Sequence, residues 1–457
     1  METKHLQSRV AIVTFPLHGH QNPMMRLACR LASLGIRVTF FTSKWFEKSA
    51  KPSKAYEELI KVVGIEGGLD DNQLNSSNDA IADVLRESEK MRQPFEKLVL
   101  ADEEENGTPF ACLIVDACFP WLPEVRHRFV AGFWASTVAC ASVMVTLPDL
   151  VAKGYLPAQG EKLLSPGANG LALAGIPFYF HTANEEDLRM SIEFGQVLLH
   201  PGMSCLLLNS FEGAEKQRIQ ELQSLLPCPC LPVGPLMATD QNGIARHADR
   251  CLEWLDEQEP KSVVYVSFGT LAYVSAKQFE ELALGLESSG ASFLWVVRPT
   301  LVDKQEDVEI FLEEFRKRTS AKGLIVAWAN QLQILAHPSV GLFLSHCGWN
   351  STLEAVWSGV PVLAWPLFDE QNVCARYLVH DWKAGTPISD AALAKSGVLV
   401  SRKEVRDGVR SGLRDESLRY SMKRASKAAR EAVQPGGSSF SSIEKLVLAI
   451  KAGSWSS

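Results

Sequence analysis

WANQLQILAHPSVGLFLSHCGWNSTLEAVWSGVPVLAWPLFDEQ, residues 328–371, is the stretch whose reading decides the fold. Within it, LFLSH (342–346) is a short apolar run of the kind a buried parallel strand presents. CGWNS supplies a turn. STLEAVWSG (351–359) has helical spacing with Gly359 as its stop, and VPVLAWP (360–366) reads as the next strand. His346, Gly348, Asn350, Ser351 and Thr352 therefore fall between a strand end and a helix start. Open α/β sheets bind ligands at that place, and free N–H groups with the helix dipole favour phosphate there. Asn350 or Ser351 would also serve as an ordinary helix cap. The rest of the run outweighs that plainer explanation. Trp328 offers a flat ring, Glu354 follows at helical spacing, and Glu370–Gln371 close the stretch with paired polar side chains.

The βα alternation continues outward in both directions. RVAIVTFP (9–16) is a strand, NPMMRLACRLASLG (22–35) a helix with Pro23 in its first turn and Gly35 at its end, and IRVTFFTS (36–43) a second strand. GGLDDNQLNSSND reads as a surface loop, and 79–104 as helix. FACLIVDACFPW (110–121) is a strand ending in Asp116, and 129–137 leads into a helix through 147. Weak periodicity over 148–202 predicts irregular connections with a short helix. SCLLLNSFEGAE (204–215) and CLPVGPL (230–236) complete the first half. The polar segment 237–250 reads as a linker. Beyond it come strands at 262–268, 293–299 and 323–328, the last ending in Trp328, and a helix over 275–290. Helical patterns cover 371–386, two stretches around Asp415, and 438–450. Parallel βαβ arrays in both halves predict an α/β protein of two Rossmann-like domains facing a cleft.

Length agrees, since 457 residues exceed what one core usually supports. Hydrophobic residues make up 46% and charged residues 22%, as in an ordinary globular protein. With a net charge of −7 and no basic stripe, nothing in the sequence points to a nucleic-acid binder. Ten cysteines scattered through apolar segments fit reduced thiols better than a disulfide framework. Cys228 and Cys230 are the one close pair, and with no second pair or His at ligand spacing no metal site is expected there. The N-terminus lacks a signal-peptide pattern, and no run reaches the ~20 apolar residues of a spanning helix. A cytoplasmic monomer without a membrane span is expected.

Acid–base chemistry has one candidate pair. His20 reads as lying in the loop after the first strand, and Asp116 at the end of a later strand on the same sheet edge. Imidazole suits proton abstraction near neutral pH, and a carboxylate can fix its tautomer and stabilise the imidazolium. Read singly, His20 could cap a helix and Asp116 merely end a strand.

The stretch 328–371 resembles the signature box of plant UDP-dependent family 1 glycosyltransferases, from Trp328 through HCGWNS to Glu370–Gln371. Asn330 stands where Pro is usual and Asp369 where a small residue is usual. LLLNSFEGAE, LPVGPL, CLEWLDEQEPKSVVYVSFGT and ELALGLESSGASFLWVVRP are similar to further family segments, so the resemblance covers nearly the whole chain. It implies a GT-B fold, with an acceptor-binding domain over 1–236, the linker at 237–250, a donor domain over 251–435, and a helix in 436–457 packing back on the first domain. His20 matches the family's catalytic base and Asp116 its partner. Thr270, His346, Asn350 and Ser351 match phosphate contacts. Trp328 would stack uracil with Ala329 beside it, Gln331 would reach the ribose region, and Glu354 would accept from ribose hydroxyls. Trp349, Glu370 and Gln371 match sugar contacts. The implied reaction is inverting and needs neither metal nor cofactor, with UDP-glucose as donor. The implied acceptor is a hydroxyl of a lipophilic small molecule such as a flavonoid, another phenolic or a terpenoid.

Three points stand apart from the resemblance. His18, where Gln is usual, could compete as base or merely neighbour the acceptor. Phe119, Trp121, Phe133 and Trp134 could wall an apolar pocket or belong to the core, and Trp365 is expected to pack. Two other functions compete. A nucleotide-sugar-binding module without transferase activity would not need His20 and Asp116, and a dinucleotide oxidoreductase would show GxGxxG where this chain has PLHGHQNP.

Overall fold

Nearly every strand is a short run of β-branched, aromatic and Leu residues buried on both faces, which suits parallel sheets covered by helices. The computed structural model describes residues 8–68, 80–121, 129–156, 176–237, 250–302 and 306–455. Their elements form two units. Most of the loop GGLDDNQLNSSND and of the linker 237–250 lies outside the described residues.

The first unit holds β1 Arg9–Val13, β2 Arg37–Ser43, β3 Ile60–Ile65, β4 Cys112–Asp116, β5 Val130–Trp134, β6 Cys205–Leu208 and β7 Cys230–Pro232. The order across the sheet is β3-β2-β1-β4-β5-β6-β7, and all pairings are parallel. Side chains alternate as a pleat requires. Val10, Ile12, Cys112 and Ile114 enter one core layer, while Ala11, Val13, Leu113 and Val115 enter the other. The helix Ser438–Ala452 belongs to this unit, with Ile443, Leu446 and Ile450 in its core and the Ser439 hydroxyl donating to the Gly234 carbonyl.

The second unit holds β8 Val263–Ser267, β9 Ser292–Val296, β10 Gly323–Val326, β11 Val340–Ser345, β12 Val362–Ala364 and β13 Gly385–Pro387, in the order β10-β9-β8-β11-β12-β13, again parallel. Val264, Val266, Leu342, Leu344 and Leu363 face one core layer. Trp365 is buried there, edge-on to Phe268.

Four expectations are corrected. The first helix runs His18–Ala32, so it starts before Pro23 and carries that proline inside. β3 is an additional strand, only partly buried and at the sheet edge, where hydrophobic alternation is weakest. The helix expected over 79–104 is two, Ala80–Glu89 and Arg92–Asn106. Pro94 explains the break, because its ring would clash with the Lys90 carbonyl in a continuous helix. The helix expected over 371–386 covers Gln371–Arg376 and gives way to a π turn at Tyr377–Asp381 and then to β13.

Candidate active site

Each sheet has one point where strand order reverses, and such switch points open a crevice at the carboxyl ends of the strands. In the first unit it lies between β1 and β4, with Val13 opposite Val115. In the second it lies between β8 and β11, with Ser267 opposite Ser345. His20 and Asp116 follow the first pair of strand ends. Thr270 and His346 follow the second.

His20 is not in a loop but in the first turn of the helix His18–Ala32. Its Nδ1 is 3.0 Å from Asp116 Oδ2 and 3.2 Å from Oδ1. Asp116 is fully buried. Its carboxylate also accepts from the backbone N–H of Phe15 (3.2 Å) and of Cys118 (3.0 Å). Two backbone donors thus hold the carboxylate in place, and an Nδ1–H facing it leaves Nε2 as the nitrogen able to take a proton. The ring of Phe15 lies 5.3 Å from that of His20. His18 points elsewhere, edge-on to Phe46 at 4.7 Å. Phe119, Trp121, Phe133 and Trp134 are all buried, with Phe119 stacked on Trp121 at 4.4 Å, so they are core.

In the second unit the helix Trp349–Ser358 starts after Gly348, and its N-cap makes no side-chain bond. Neither Asn350 nor Ser351 is the cap. Both sit inside the first turn. His346 is buried, and its Nδ1 has no hydrogen-bond partner among the described residues. Burial, with Arg298 nearby, pushes its pKa down to about 4, so the imidazole is neutral at pH 7 and would meet phosphate as a dipole rather than a cation. Gly269, at φ +69, and Gly348 leave the room beside it. A Cβ on either would come within 2.5 or 2.7 Å of His346 Nε2. A neutral imidazole, two glycine gaps beside its Nε2 and a helix N-terminus fit an anionic ligand. Thr270 is exposed on the same turn. The Arg298 guanidinium donates to the carbonyls of Thr270 and of Ala272 (3.1 Å) and fastens that turn. Arg298 was missed in the sequence, although a charged residue closing the apolar run FLWVVRP was a usable signal.

Trp328 lies two residues past β10, with its ring 73% exposed, as a stacking platform must be. Ala329 beside it is buried. Asn330, the departure from Pro, caps the helix Gln331–Leu335 by accepting from the Gln333 N–H. Gln331 Nε2 donates to Glu354 Oε2 at 2.7 Å and to Ser351 Oγ at 2.9 Å, while Tyr265 donates to Gln331 Oε1 at 3.3 Å. Gln331, Ser351 and Glu354 are thus one network.

Gln371 is buried, and its Oε1 accepts from the N–H groups of Leu367 (2.9 Å) and Phe368 (3.3 Å). That orients the amide with Nε2 as the outward donor. Glu370 is the N-cap of the same helix, without a side-chain cap bond. Asp369 adopts φ +53, and its carbonyl accepts from Phe178 N–H at 2.7 Å. Burial, then the adjacent Glu370 carboxylate, pushes Asp369 well above the usual carboxylate range. Trp349 is buried against Tyr377 and Trp382, so its side chain is shared with the core. Cys228 and Cys230 are buried thiols pushed up to about 11 and about 12 by burial.

A family profile described as "UDP-glucoronosyl and UDP-glucosyl transferase" matches residues 224–414. UDP-glycosyltransferase 84A1 of Arabidopsis thaliana is 35% identical over 97% of this chain and 94% of its own. Gallate 1-beta-glucosyltransferase 84A24 of Punica granatum is 31% identical over 97% of this chain and 88% of its own. A crystal structure of Os79 from O. sativa in complex with trichothecene superposes with a TM-score of 0.78 at 28% identity, covering 96% of this chain and all of that one. The two Rossmann-like parallel-sheet units are those of a GT-B enzyme. The chain belongs to the UDP-glycosyltransferase family and is a glycosyltransferase of the hexosyl class. Among the described residues, no helix is long and apolar enough to cross a membrane.

Proposed function

We propose that the protein transfers glucose from UDP-glucose, with inversion, to a hydroxyl of a lipophilic small molecule, with His20 as general base and Asp116 as its orienting partner. The observation that carries this reading is the His20 Nδ1–Asp116 contact of 3.0 Å, at a strand-order switch point, with the carboxylate held by two backbone N–H groups. Nε2 takes the hydroxyl proton as the acceptor oxygen attacks C1 of the sugar. The C1–O bond to UDP breaks in the same displacement, so no protein nucleophile is needed. Thr270, His346, Asn350, Ser351 and the helix N-terminus receive the diphosphate. Trp328, Ala329, Gln331 and Glu354 hold the nucleoside, and Trp349, Glu370 and Gln371 the sugar. The proposed setting is cytosolic, supported by ten free thiols, nine of them buried. Mass-read screening of UDP-glucose against phenolics and terpenoids tests the reading, and a chain that binds UDP-glucose yet glycosylates none of them would favour the binding-module alternative.

A second acceptor chemistry has its own support. A relative 31% identical is named for gallate, which offers a carboxylate as well as phenolic hydroxyls. A carboxylate is ionised at neutral pH and needs no base. Alkali-labile product from gallate would mark an ester and assign this chain to carboxylates.

Two expected results follow for the donor. Chelation with EDTA leaves the transfer rate unchanged, because neutral donors and a helix N-terminus meet the diphosphate charge. Loss of activity restored by magnesium would sink the metal-free reading. In competition at equal concentrations, UDP-glucose is preferred several-fold over UDP-galactose, since a misplaced hydroxyl leaves a polar group unpaired at a cost of about 1–3 kcal/mol. The resemblance supports this, for Gln at the closing position commonly accompanies glucose. Gln371→Ala lowers glucosyl transfer and narrows the preference. A majority of galactoside from the unsubstituted protein would refute the donor.

A further inference from the structure

Of the ten cysteines, nine are buried and Cys118 alone is not. It stands two residues beyond Asp116, at the turn whose N–H holds the carboxylate. That turn brings a third ligand atom to the pair. Nitrogen of His20, oxygen of Asp116 and Sγ of Cys118 all lie within 4.8 Å of one another, the one such trio of metal-ligating side chains among the described residues. A base-and-orienter reading uses no thiol there, and Cys118 is only partly buried, packed against the core layer of Phe15 and Phe119.

We propose that His20, Asp116 and Cys118 form a binding site for a zinc-class divalent cation, and that occupancy switches hydroxyl transfer off. Nitrogen, sulfur and one carboxylate oxygen make a three-ligand set with an open fourth position, as zinc accepts. Tetrahedral bonds of about 2.0–2.3 Å place ligand atoms roughly 3.3–3.7 Å apart, so small side-chain rotations suffice. The thiolate selects against magnesium and calcium, which prefer all-oxygen shells. His20 already turns Nδ1 toward Asp116, so the metal would bind there. The Nδ1 proton is displaced and the neutral ring carries its proton on Nε2. Cys118 gives its thiol proton to solvent. Nε2 then presents an N–H instead of a lone pair and cannot accept a hydroxyl proton. The switching half rests on His20 being the base, whereas the binding half does not.

The full chain, freed of metal by EDTA and desalted, is titrated with cobalt(II) and with zinc(II). Cobalt is expected to give a near-ultraviolet thiolate charge-transfer band that saturates at one equivalent and is displaced by zinc. The band should be absent from both Cys118→Ser and Cys118→Ala. Zinc is expected to inhibit transfer to a hydroxyl acceptor, and magnesium is not. With each variant scaled to its own metal-free rate, losing the thiol should raise the inhibitory zinc concentration about tenfold or more. No band in the unsubstituted protein, or a band that persists without Cys118, overturns the site. A Cys118-dependent band with undiminished transfer keeps the thiol-dependent site but overturns the switch, while the role of His20 as base is judged separately by the His20→Ala rate.

Discussion

His20→Ala is expected to lower transfer to a hydroxyl acceptor by about a hundredfold or more while UDP binds as before. An alcohol or phenol must shed its proton as it attacks, and a positioned imidazole is worth that much in the transition state. His20 sits in the first unit, whereas the phosphate turn, Trp328 and Glu354 all belong to the second. Calorimetry with UDP therefore reports donor-site integrity independently of the base. Asp116→Asn should be impaired by the same route. The carboxylate accepts from Phe15 N–H on one oxygen and from Cys118 N–H on the other, with His20 Nδ1 facing both. An amide can present only one oxygen, so one donor would meet another donor and the ring would lose its fixed tautomer. A carboxylate acceptor arrives ionised, and on it His20→Ala should cost far less. Near-unchanged turnover of His20→Ala on an alcohol would remove His20 from the chemistry.

Much of this arrangement was legible in the sequence, for reasons that differ by residue. The polar run after LFLSH could be placed at a strand end because apolar run, turn and helical spacing follow one another without interruption. Exposed Trp328 and buried Trp365 both close apolar runs, so periodicity alone does not separate them, and the stacking role of Trp328 comes from the family resemblance. His20 falls in a loop by the sequence because Pro23 invites a helix start at 22, and only tertiary packing shows the helix beginning four residues earlier, at His18. β3 escaped notice because an edge strand buries too little to show a period. Strand order is invisible to periodicity, so the coincidence of both candidate half-sites with the two switch points emerges only from the sheets. Backbone donors carry no sequence signal, which hid the hold of Phe15 and Cys118 on Asp116. Side-chain networks between distant segments are equally silent, as with Gln331 and Glu354, or Arg298 and the Thr270 turn.

Replacing Glu354 with Ala is expected to weaken donor binding by about 1.5–3 kcal/mol, the usual worth of a hydrogen bond to a charged group. That is roughly a tenfold to hundredfold loss in affinity. The carboxylate is buried on the helix Trp349–Ser358 and accepts from Gln331 Nε2 at 2.7 Å. Alanine would leave that amide nitrogen with Ser351 Oγ at 2.9 Å as its remaining partner and open a void beside it. Two roles are then in play, a direct contact to the ribose hydroxyls and the holding of Gln331. They separate by ligand. If Glu354 accepts from the ribose, the unsubstituted protein should bind UDP more tightly than 2′-deoxy-UDP, and the Ala variant should bind the two alike. If it acts only through Gln331, both ligands should weaken equally, and Gln331→Ala should reproduce the loss. Glu354→Gln, which keeps the shape and drops the charge, should fall between. Calorimetry giving one UDP affinity for the Ala variant and the unsubstituted protein would remove Glu354 from the donor site, and leave its burial beside Gln331 as packing alone.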